Sequence, residues 1–238
     1  MGKARAEILA GIRRSLRRGR LDAETEGDLR ERVVTHRRNL LPARATALAH
    51  ADRVELFVAL AREAEATVAR VSSLAAVPEA VADYLSAENL PAELVMAPDP
   101  FMDTAPWAER PLLRIRRGPV TAQDAVSMTP CFAAIAETGT LMLISGAATP
   151  TTLSFLPDTH ILVVRGDQVV ATYEDGWDRL RASMGSAEKL PRAISFITGP
   201  SRTGDIEQRI VLGAHGPRRL HIVLVEDQRE ARNDEDAR

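Results

Sequence analysis

Cysteine, aromatic residues and lysine are all scarce in this chain of 238 residues. Cys131 is its one cysteine, which excludes an internal disulfide and an iron–sulfur cluster held by four thiolates of this chain. Aromatic residues make up only 4%, so the core has to be packed mainly from Ala, Val, Leu and Ile. Lys3 and Lys189 are the only lysines among 31 basic residues, and we attribute this bias to genome composition rather than to phosphate recognition.

Long apolar runs and charge of one sign are missing as well. No run approaches the roughly 20 residues of a membrane span, and no apolar segment precedes a cleavage site near Met1, so we expect a cytoplasmic protein without membrane insertion. A net charge of −2 provides no general attraction for nucleic acid. The five histidines have no zinc-binding spacing, so we predict no metal and no other cofactor in this chain.

What is present is an alternation of helical patterns with short apolar runs. An alanine-rich helix is predicted over Val54–Val71, and strands over Leu94–Ala97 and His160–Arg165. This alternation of helices and strands predicts the α/β class with an open, mostly parallel sheet flanked by helices. A hydrophobic content of 45% is sufficient for the core of such a domain.

Three regions are expected along the chain. Residues 1–50 are predicted to form an N-terminal helical extension that packs against the body or a partner, because Ile8, Ile12 and Leu16 form one apolar stripe. Residues 51–226 are predicted to form the α/β domain. Residues 227–238 are highly charged and lack large apolar side chains, which predicts a disordered tail.

The stretch Ala193–Glu226 is predicted to be a strand, a short helix and a second strand, which together form a βαβ unit. Asp205 is the expected N-cap of the helix. Ligands of open α/β sheets bind beyond the carboxyl ends of the strands. We therefore expect the loop Gly199–Glu207 to lie at that end and to form the leading site.

The same loop begins like a phosphate-binding P-loop but does not continue as one. Asp205 and Ile206 stand where a P-loop has lysine and then serine or threonine, which excludes a nucleoside triphosphatase. Backbone N–H groups with Arg202 beside them suit a small anion, and a solvated turn is the alternative.

A second polar stretch, Glu137–Thr140, lies between two apolar runs, where Thr138-Gly139 predicts a two-residue hairpin turn. Glu137 is expected either to cap a turn or to point into a cleft. His215, between two glycines, is the candidate general base. The residues expected around the cleft, besides Glu137 and His215, are Thr138, Gly139, Thr140, Gly199, Ser201, Arg202, Thr203, Asp205 and Glu207.

Three motifs resemble the LUD-domain family: AIAETGTL from Ala134, PDTHILVV from Pro157 and FITGPSRTGDIE from Phe196, the last followed by VLGAHGPRRLHIVLV. The resemblance covers roughly Phe57 to Glu226, with Gly204 where the family usually has alanine. It implies a fold like the NagB, ribose-5-phosphate isomerase and CoA-transferase group. It also implies a role in converting L-lactate to pyruvate, together with two partner proteins that carry iron–sulfur clusters.

We therefore expect a component of a lactate-oxidising system that has no redox centre of its own and a cleft for a small carboxylate. Two alternatives stay open at this point. One is a free-standing enzyme of the CoA-transferase or ligase type with Glu137 as nucleophile, and the other is a regulatory module that senses a carboxylate.

Overall fold

The computed structural model describes residues 2–17, 19, 21–38, 40–185, 190–206 and 209–226. The chain divides into two compact units, Met1–Leu40 and Leu41–Arg238. The first unit contains helices α1 (Gly2–Ser15) and α2 (Ala23–Thr35). Asp22 caps α2, because its side chain accepts a hydrogen bond from the Thr25 N–H at 2.7 Å.

Helices and strands alternate through the second unit. Its helices are α3 (Ala43–Thr46), α4 (His50–Glu63), α5 (Val77–Ala87), α6 (Pro100–Asp103), α7 (Thr152–Phe155) and α8 (Tyr173–Met184). Its strands are β1 (Thr67–Val71), β2 (Glu93–Met96), β3 (Arg114–Arg117), β4 (Val126–Pro130), β5 (Ala133–Ile135), β6 (Thr140–Ile144), β7 (Thr159–Arg165), β8 (Val169–Val170), β9 (Ile194–Ile197), β10 (Arg202–Ile206), β11 (Arg209–Leu212) and β12 (Arg219–Val225). Single turns of 3-10 helix occur at Leu74–Ala76, Trp107–Glu109 and Gly166–Gln168.

The main sheet has six strands in the order β1-β12-β7-β4-β2-β3, and every neighbouring pair is parallel. The α/β class with a mostly parallel sheet flanked by helices is therefore confirmed. A second sheet of four strands, in the order β8-β5-β6-β9, was not predicted. Its β5–β6 and β6–β9 pairs are antiparallel and its β5–β8 pair is parallel. Only β5 and β6 are joined by a short connection, which antiparallel neighbours allow.

The inner strands of the main sheet, β12, β7, β4 and β2, are buried on both faces, as their uninterrupted apolar residues predict, whereas the edge strands β1 and β3 are partly exposed. Alternate residues of β7 point to opposite faces, so that Leu162 packs with α4 and the small sheet while Ile161 packs with α5. The small sheet lies between α4 and α8, with Leu180 of α8 packed against Ile135 and Met142. The small sheet thus forms a layer of its own beside the main sheet.

The helix predicted over Val54–Val71 is too long. Helix α4 ends at Glu63, Glu65 adopts a left-handed backbone conformation with φ of +68°, and strand β1 begins at Thr67. The Ala66 N–H donates back to the Ala61 carbonyl at 3.0 Å, which closes the helix end. The alternating, partly β-branched sequence after Ala66 suits the edge of the parallel sheet better than another helical turn.

The predicted βαβ unit over Ala193–Glu226 is wrong. β9 belongs to the small sheet and β12 to the main sheet, and between them β10 and β11 form an antiparallel hairpin instead of a helix. Asp205 therefore lies within a strand and caps no helix. β-branched residues on both arms, such as Thr203 and Val211, which pair across the hairpin, favour strands and outweigh the weak capping pattern.

Candidate functional site

A cavity of about 550 Å³ lies between the two sheets of the second unit. Its wall is formed by the end of β9 and the loop that follows it (residues 196–202), by the turn before β12 (residues 215–217), by Ser154 and Phe155 of α7, and by His160 of β7. None of the described residues that line it is acidic. The volume is in the range of small-molecule sites, and the mixture of apolar and polar walls is typical of them.

The cavity lies at the amino ends of the parallel strands and not at their carboxyl ends, as we had expected. His160 and Leu220 both line it, each is the second residue of its strand, and the two are register partners. The reason is the path of the chain, because the loop after β9 leaves the small sheet and has to return to the start of β12. The rule that ligands bind at the carboxyl ends of the strands applies to a single open sheet. It fails here because the small sheet contributes one wall of the cavity.

The turn at Gly199 is held close to the end of α4. Gly199 has φ of +72°, and a Cβ at this position would lie 2.0 Å from the Ala64 carbonyl oxygen, so a side chain is excluded for two reasons. Ser201 then joins the loop to the opposite wall. Its N–H donates to the Pro217 carbonyl at 2.9 Å, and its carbonyl accepts from the Gly213 N–H at 2.9 Å.

Arg202 lies at the rim of the cavity and closes the carboxyl end of α4. Its Nη2 donates to the Ala64 carbonyl at 2.7 Å and forms an ion pair with Glu65 at 3.3 Å. A cation is favourable at this end of a helix, where carbonyl groups lack helical partners. A guanidinium has five N–H donors, so these two contacts do not exhaust it.

Glu137 is buried and lies away from the lining of this cavity. Its Oε1 accepts a hydrogen bond from the Tyr173 N–H at 2.9 Å, in the first turn of α8. A carboxylate is stabilised there by the unpaired N–H groups and the dipole of the helix. Of the two roles considered for Glu137, a structural one at a helix start has the clearer support.

The chain turns between β5 and β6 over four residues and not the predicted two, because Ile135 pairs with Thr140. The N–H groups of Ala136 and Glu137 donate instead to carbonyls at the end of β8 and beyond it, at 2.9 and 3.1 Å. Gly139 has φ of +66°, and its Cβ would lie 2.4 Å from the Ala61 nitrogen in α4. The hairpin itself is confirmed.

Four hydroxyl groups connect this turn with the cavity. Thr140 Oγ1 lies 2.7 Å from Thr138 Oγ1, 3.1 Å from Tyr173 Oη and 2.6 Å from Thr198 Oγ1. Thr198 also lines the cavity, while Thr140 is fully buried behind it. We call these four residues the hydroxyl cluster. It joins the two stretches that the sequence singled out, but only one of them reaches the cavity.

The predicted site residues thus divide into groups. The cavity is lined by four of them, Gly199, Ser201, Arg202 and His215. The predicted residues of the β5–β6 turn are not part of its lining: Glu137, Thr138, Gly139 and Thr140. Thr203 follows in β10, Asp205 is described only by its backbone in that strand, and Glu207 lies outside the described residues.

His160 lines the cavity although the sequence analysis named it only as the start of a predicted strand. The side chain is fully buried, and its Nε2 lies 2.8 Å from Thr129 Oγ1. Burial lowers the pKa of His160 from 6.5 to about 3, so the ring is neutral at physiological pH. The sequence does contain a signal for His160, which is a polar residue at the start of an apolar strand. A buried polar side chain needs a hydrogen-bond partner, so such a residue is a candidate for binding.

Burial keeps Cys131 out of nucleophilic chemistry. Burial raises the pKa of the Cys131 thiol to about 12, which leaves it protonated and unreactive. Over the described ranges, no three His, Cys, Asp or Glu side chains are grouped as a metal site would require.

None of the helices in the described part is long and apolar enough to cross a bilayer.

Comparisons with known proteins agree with this architecture. A model of the LUD domain matches residues 54–225. The lactate utilization protein C of Deinococcus radiodurans is 44% identical over 103 residues, which are 43% of this chain and 46% of that protein. That of Bacillus subtilis is 34% identical over 106 residues, 44% of each chain. These alignments span less than half the length of each relative.

A solved structure resembles a larger part of the chain. It is the crystal structure of a DUF162 family protein from Deinococcus radiodurans, with a TM-score of 0.58 and 31% sequence identity. The match covers 75% of this chain and 99% of that one.

Proposed function

The chain is a member of the LUD domain family, and on that basis we propose that it is a component of an L-lactate utilization system that binds a small carboxylate. Its curated relatives carry the name lactate utilization protein C. Oxidation of lactate to pyruvate releases two electrons, which we assign to iron–sulfur partner proteins of the same system. A cytoplasmic location and the helical extension over residues 1–50 are part of the proposal. The prediction made for the tail, residues 227–238, lies outside the described residues.

One observation supports the carboxylate site most strongly. The whole lining of the cavity, from Ala64 to Leu220, lies within residues 54–225, the range that matches the LUD domain. The cavity therefore belongs to the family domain and not to a peripheral segment. A lining without acidic residues but with Arg202 at its rim favours an anion.

The apolar part of the lining limits the kind of anion. Hydrocarbon surface in the same lining comes from Phe155, Phe196, Ile197 and Leu220. A short carboxylic acid with an apolar end suits both surfaces, whereas a dicarboxylate would place its second charge against hydrocarbon without a partner. Lactate and pyruvate are therefore better candidates than succinate.

The alternative of a CoA-transferase or ligase type enzyme with Glu137 as nucleophile has less support, because Glu137 binds the start of α8 and does not line the cavity. A carboxylate-sensing module would use the same cavity. Catalytic turnover by the isolated chain would support the free-standing enzyme. If deleting the chain abolishes growth on L-lactate but leaves gene regulation by lactate intact, the sensing module is excluded.

Growth and binding together test the proposal. A host that lacks its own LUD protein should grow on L-lactate when it carries this chain, and calorimetry should show binding of L-lactate or pyruvate but not of succinate. Ser201→Leu, which fills the cavity, should abolish both effects. Ser86→Leu, on the exposed face of α5, is the matched control. The proposal is wrong if Ser201→Leu supports growth and binding like the wild type.

Association with partners is a separate test. Affinity purification from cells grown on L-lactate should recover iron–sulfur proteins with this chain, and their cluster absorbance should be visible in the complex. Recovery of the chain alone, under conditions that preserve other complexes, would contradict the assignment of electron transfer to partners.

A further inference from the structure

A buried histidine with an unused ring nitrogen lies in the wall of the cavity. His160 is fully buried and lines the cavity, and its Nδ1 has no hydrogen-bond partner in the part of the chain that the structure describes. Burying a polar group without a partner is unfavourable, so buried polar atoms are nearly always paired. An atom so enclosed has two sources of a partner, the protein itself and whatever occupies the cavity.

We infer that His160 determines the specificity of the cavity, by pairing its Nδ1 with the oxygen at carbon 2 of a 2-hydroxy or 2-oxo carboxylate. The inference rests on the proposed carboxylate site. It adds the group that recognises the substituent at carbon 2 of the bound acid. It predicts a preference among short acids that have the same charge and nearly the same size.

Thr129 holds the ring and limits its proton arrangement. A neutral imidazole has one donor nitrogen and one acceptor nitrogen. When the Thr129 hydroxyl donates to Nε2, the proton of the ring lies on Nδ1, which then donates to a bound oxygen. When Nε2 donates to Thr129, Nδ1 accepts. Because Thr129 contacts Nε2 in both cases, the ring can keep the same orientation in the two tautomers.

The two tautomers rank the acids differently. A 2-hydroxyl group both donates and accepts, so L-lactate can pair with Nδ1 in either tautomer. The 2-oxo group of pyruvate only accepts, so it pairs with the tautomer that carries the proton on Nδ1. Propionate has no oxygen at carbon 2 and leaves Nδ1 unpaired. The difference between a paired and an unpaired buried group corresponds to about 10- to 100-fold in affinity.

A second buried histidine, which does not line the cavity, provides a matched control. His221 also has an unpaired ring nitrogen, Nε2, and its Nδ1 lies 2.8 Å from Thr67 Oγ1. The His221 ring stacks on Tyr84 with 3.7 Å between the ring centroids. It therefore shares the burial and the threonine partner of His160 but not the cavity.

Calorimetric titration of the full chain with L-lactate, pyruvate and propionate tests the inference. The wild type should bind L-lactate at least about 10-fold more tightly than propionate. The amide of His160→Gln reaches the position of Nε2 and keeps a polar group for Thr129, but has none at Nδ1. This variant should bind L-lactate and propionate equally, with the propionate affinity of the wild type.

Two further variants complete the comparison. The amide of His160→Asn lies near the position of Nδ1, so this variant should keep part of the preference for L-lactate although it loses Thr129. His221→Gln should discriminate like the wild type. The inference is wrong if His160→Gln still prefers L-lactate as the wild type does, or if His221→Gln loses the preference equally.

A spectroscopic measurement covers the case in which the variants do not fold. In the wild type labelled with ¹⁵N-histidine, L-lactate should shift the Nδ1 resonance of His160 and propionate should not. Equal shifts with both acids overturn the role of His160 but leave the carboxylate site intact. A wild type that binds none of the three acids contradicts the proposed function as well, so the two failures are distinguishable.

Discussion

Two polar turns lie against the carboxyl-terminal half of α4, and only one of them forms part of the cavity. A Cβ on Gly139 would meet the backbone of Ala61, and a Cβ on Gly199 would meet the carbonyl of Ala64. Both glycines have positive φ. The Gly139 turn encloses Glu137 and two threonines, whereas the Gly199 turn forms the wall of a space of about 550 Å³.

The difference shows that polar composition alone does not identify a site. The stretch Glu137–Thr140 has the more reactive residue types, yet its carboxylate and hydroxyl groups find partners within the protein. The loop after Gly199 has fewer such groups, but it lines the same cavity as His160, whose second ring nitrogen has no partner in the described part of the chain. An unpaired group beside a cavity is therefore the better indicator of binding.

The largest expected effect comes from adding one methyl group to either turn. We expect Gly139→Ala and Gly199→Ala each to lower the free energy of unfolding by about 3 kcal/mol or more, because backbone strain and a backbone clash add together. Gly185→Ala has φ of +67° but open space around its Cβ, and should cost only about 1 kcal/mol. Urea denaturation measures all three.

The same substitutions distinguish the two turns. Gly199→Ala should also abolish binding of L-lactate at temperatures where the protein is folded, because the cavity wall has to move away from α4. If Gly199→Ala is as mild as Gly185→Ala in both measurements, the close packing of the Gly199 turn on α4 is incorrect.

The hydroxyl cluster should show the second largest effect. Thr140→Val keeps the shape but leaves Thr138, Tyr173 and Thr198 with one partner fewer, which should cost about 1–3 kcal/mol in denaturant unfolding. Tyr173→Phe removes a half-buried hydroxyl and should cost less. An equal or larger loss in Tyr173→Phe would mean that Thr140 is not the centre of the cluster.

The buried histidine predicts a dependence of stability on pH. The folded protein protonates His160 only near pH 3, whereas the unfolded chain does so near 6.5, so the unfolded state binds more protons between these values. Stability should therefore fall as the pH falls below 6.5, with His160 contributing about 1 kcal/mol at pH 5.5. His221, whose pKa burial lowers to about 4, contributes in the same direction.

Thermal unfolding of the wild type and His160→Gln between pH 7.5 and 5.5 checks this dependence. The variant should lose less stability over that interval, because glutamine does not titrate. Parallel curves would show that the ring of His160 is protonated as easily in the folded protein as in the unfolded chain.

The smallest effect on stability is expected at Arg202. Its ion pair with Glu65 is partly exposed, so Arg202→Ala should cost only about 0.5–1 kcal/mol in thermal unfolding. Carboxylate affinity should fall in both Arg202→Ala and Arg202→Lys, because lysine lacks the planar fork that binds both oxygens of a carboxylate. Glu65→Gln removes the ion pair alone and should bind L-lactate normally. Normal binding by Arg202→Ala would remove Arg202 from the site.

Local pattern was sufficient for much of the fold. Uninterrupted apolar runs predict β7 and β12 as strands buried on both faces, and Thr138-Gly139 between two apolar runs predicts the β5–β6 hairpin. These predictions succeed because each feature requires particular residue types. A strand buried on both faces needs an uninterrupted run of apolar residues, and a turn with a left-handed backbone conformation favours glycine. Gly199, Ser201, Arg202 and His215 were likewise identified as candidates from the loop chemistry.

Tertiary contacts decided the rest. Residues 202–212 carry both a helix-capping pattern and β-branched residues, and pairing of the two arms selects the hairpin. The amino-end position of the cavity depends on β9 joining a second sheet, which no local pattern records. The composition of β7 predicts that His160 is buried, but whether each ring nitrogen finds a partner depends on neighbouring strands and on the space beside them, which are brought together only by folding.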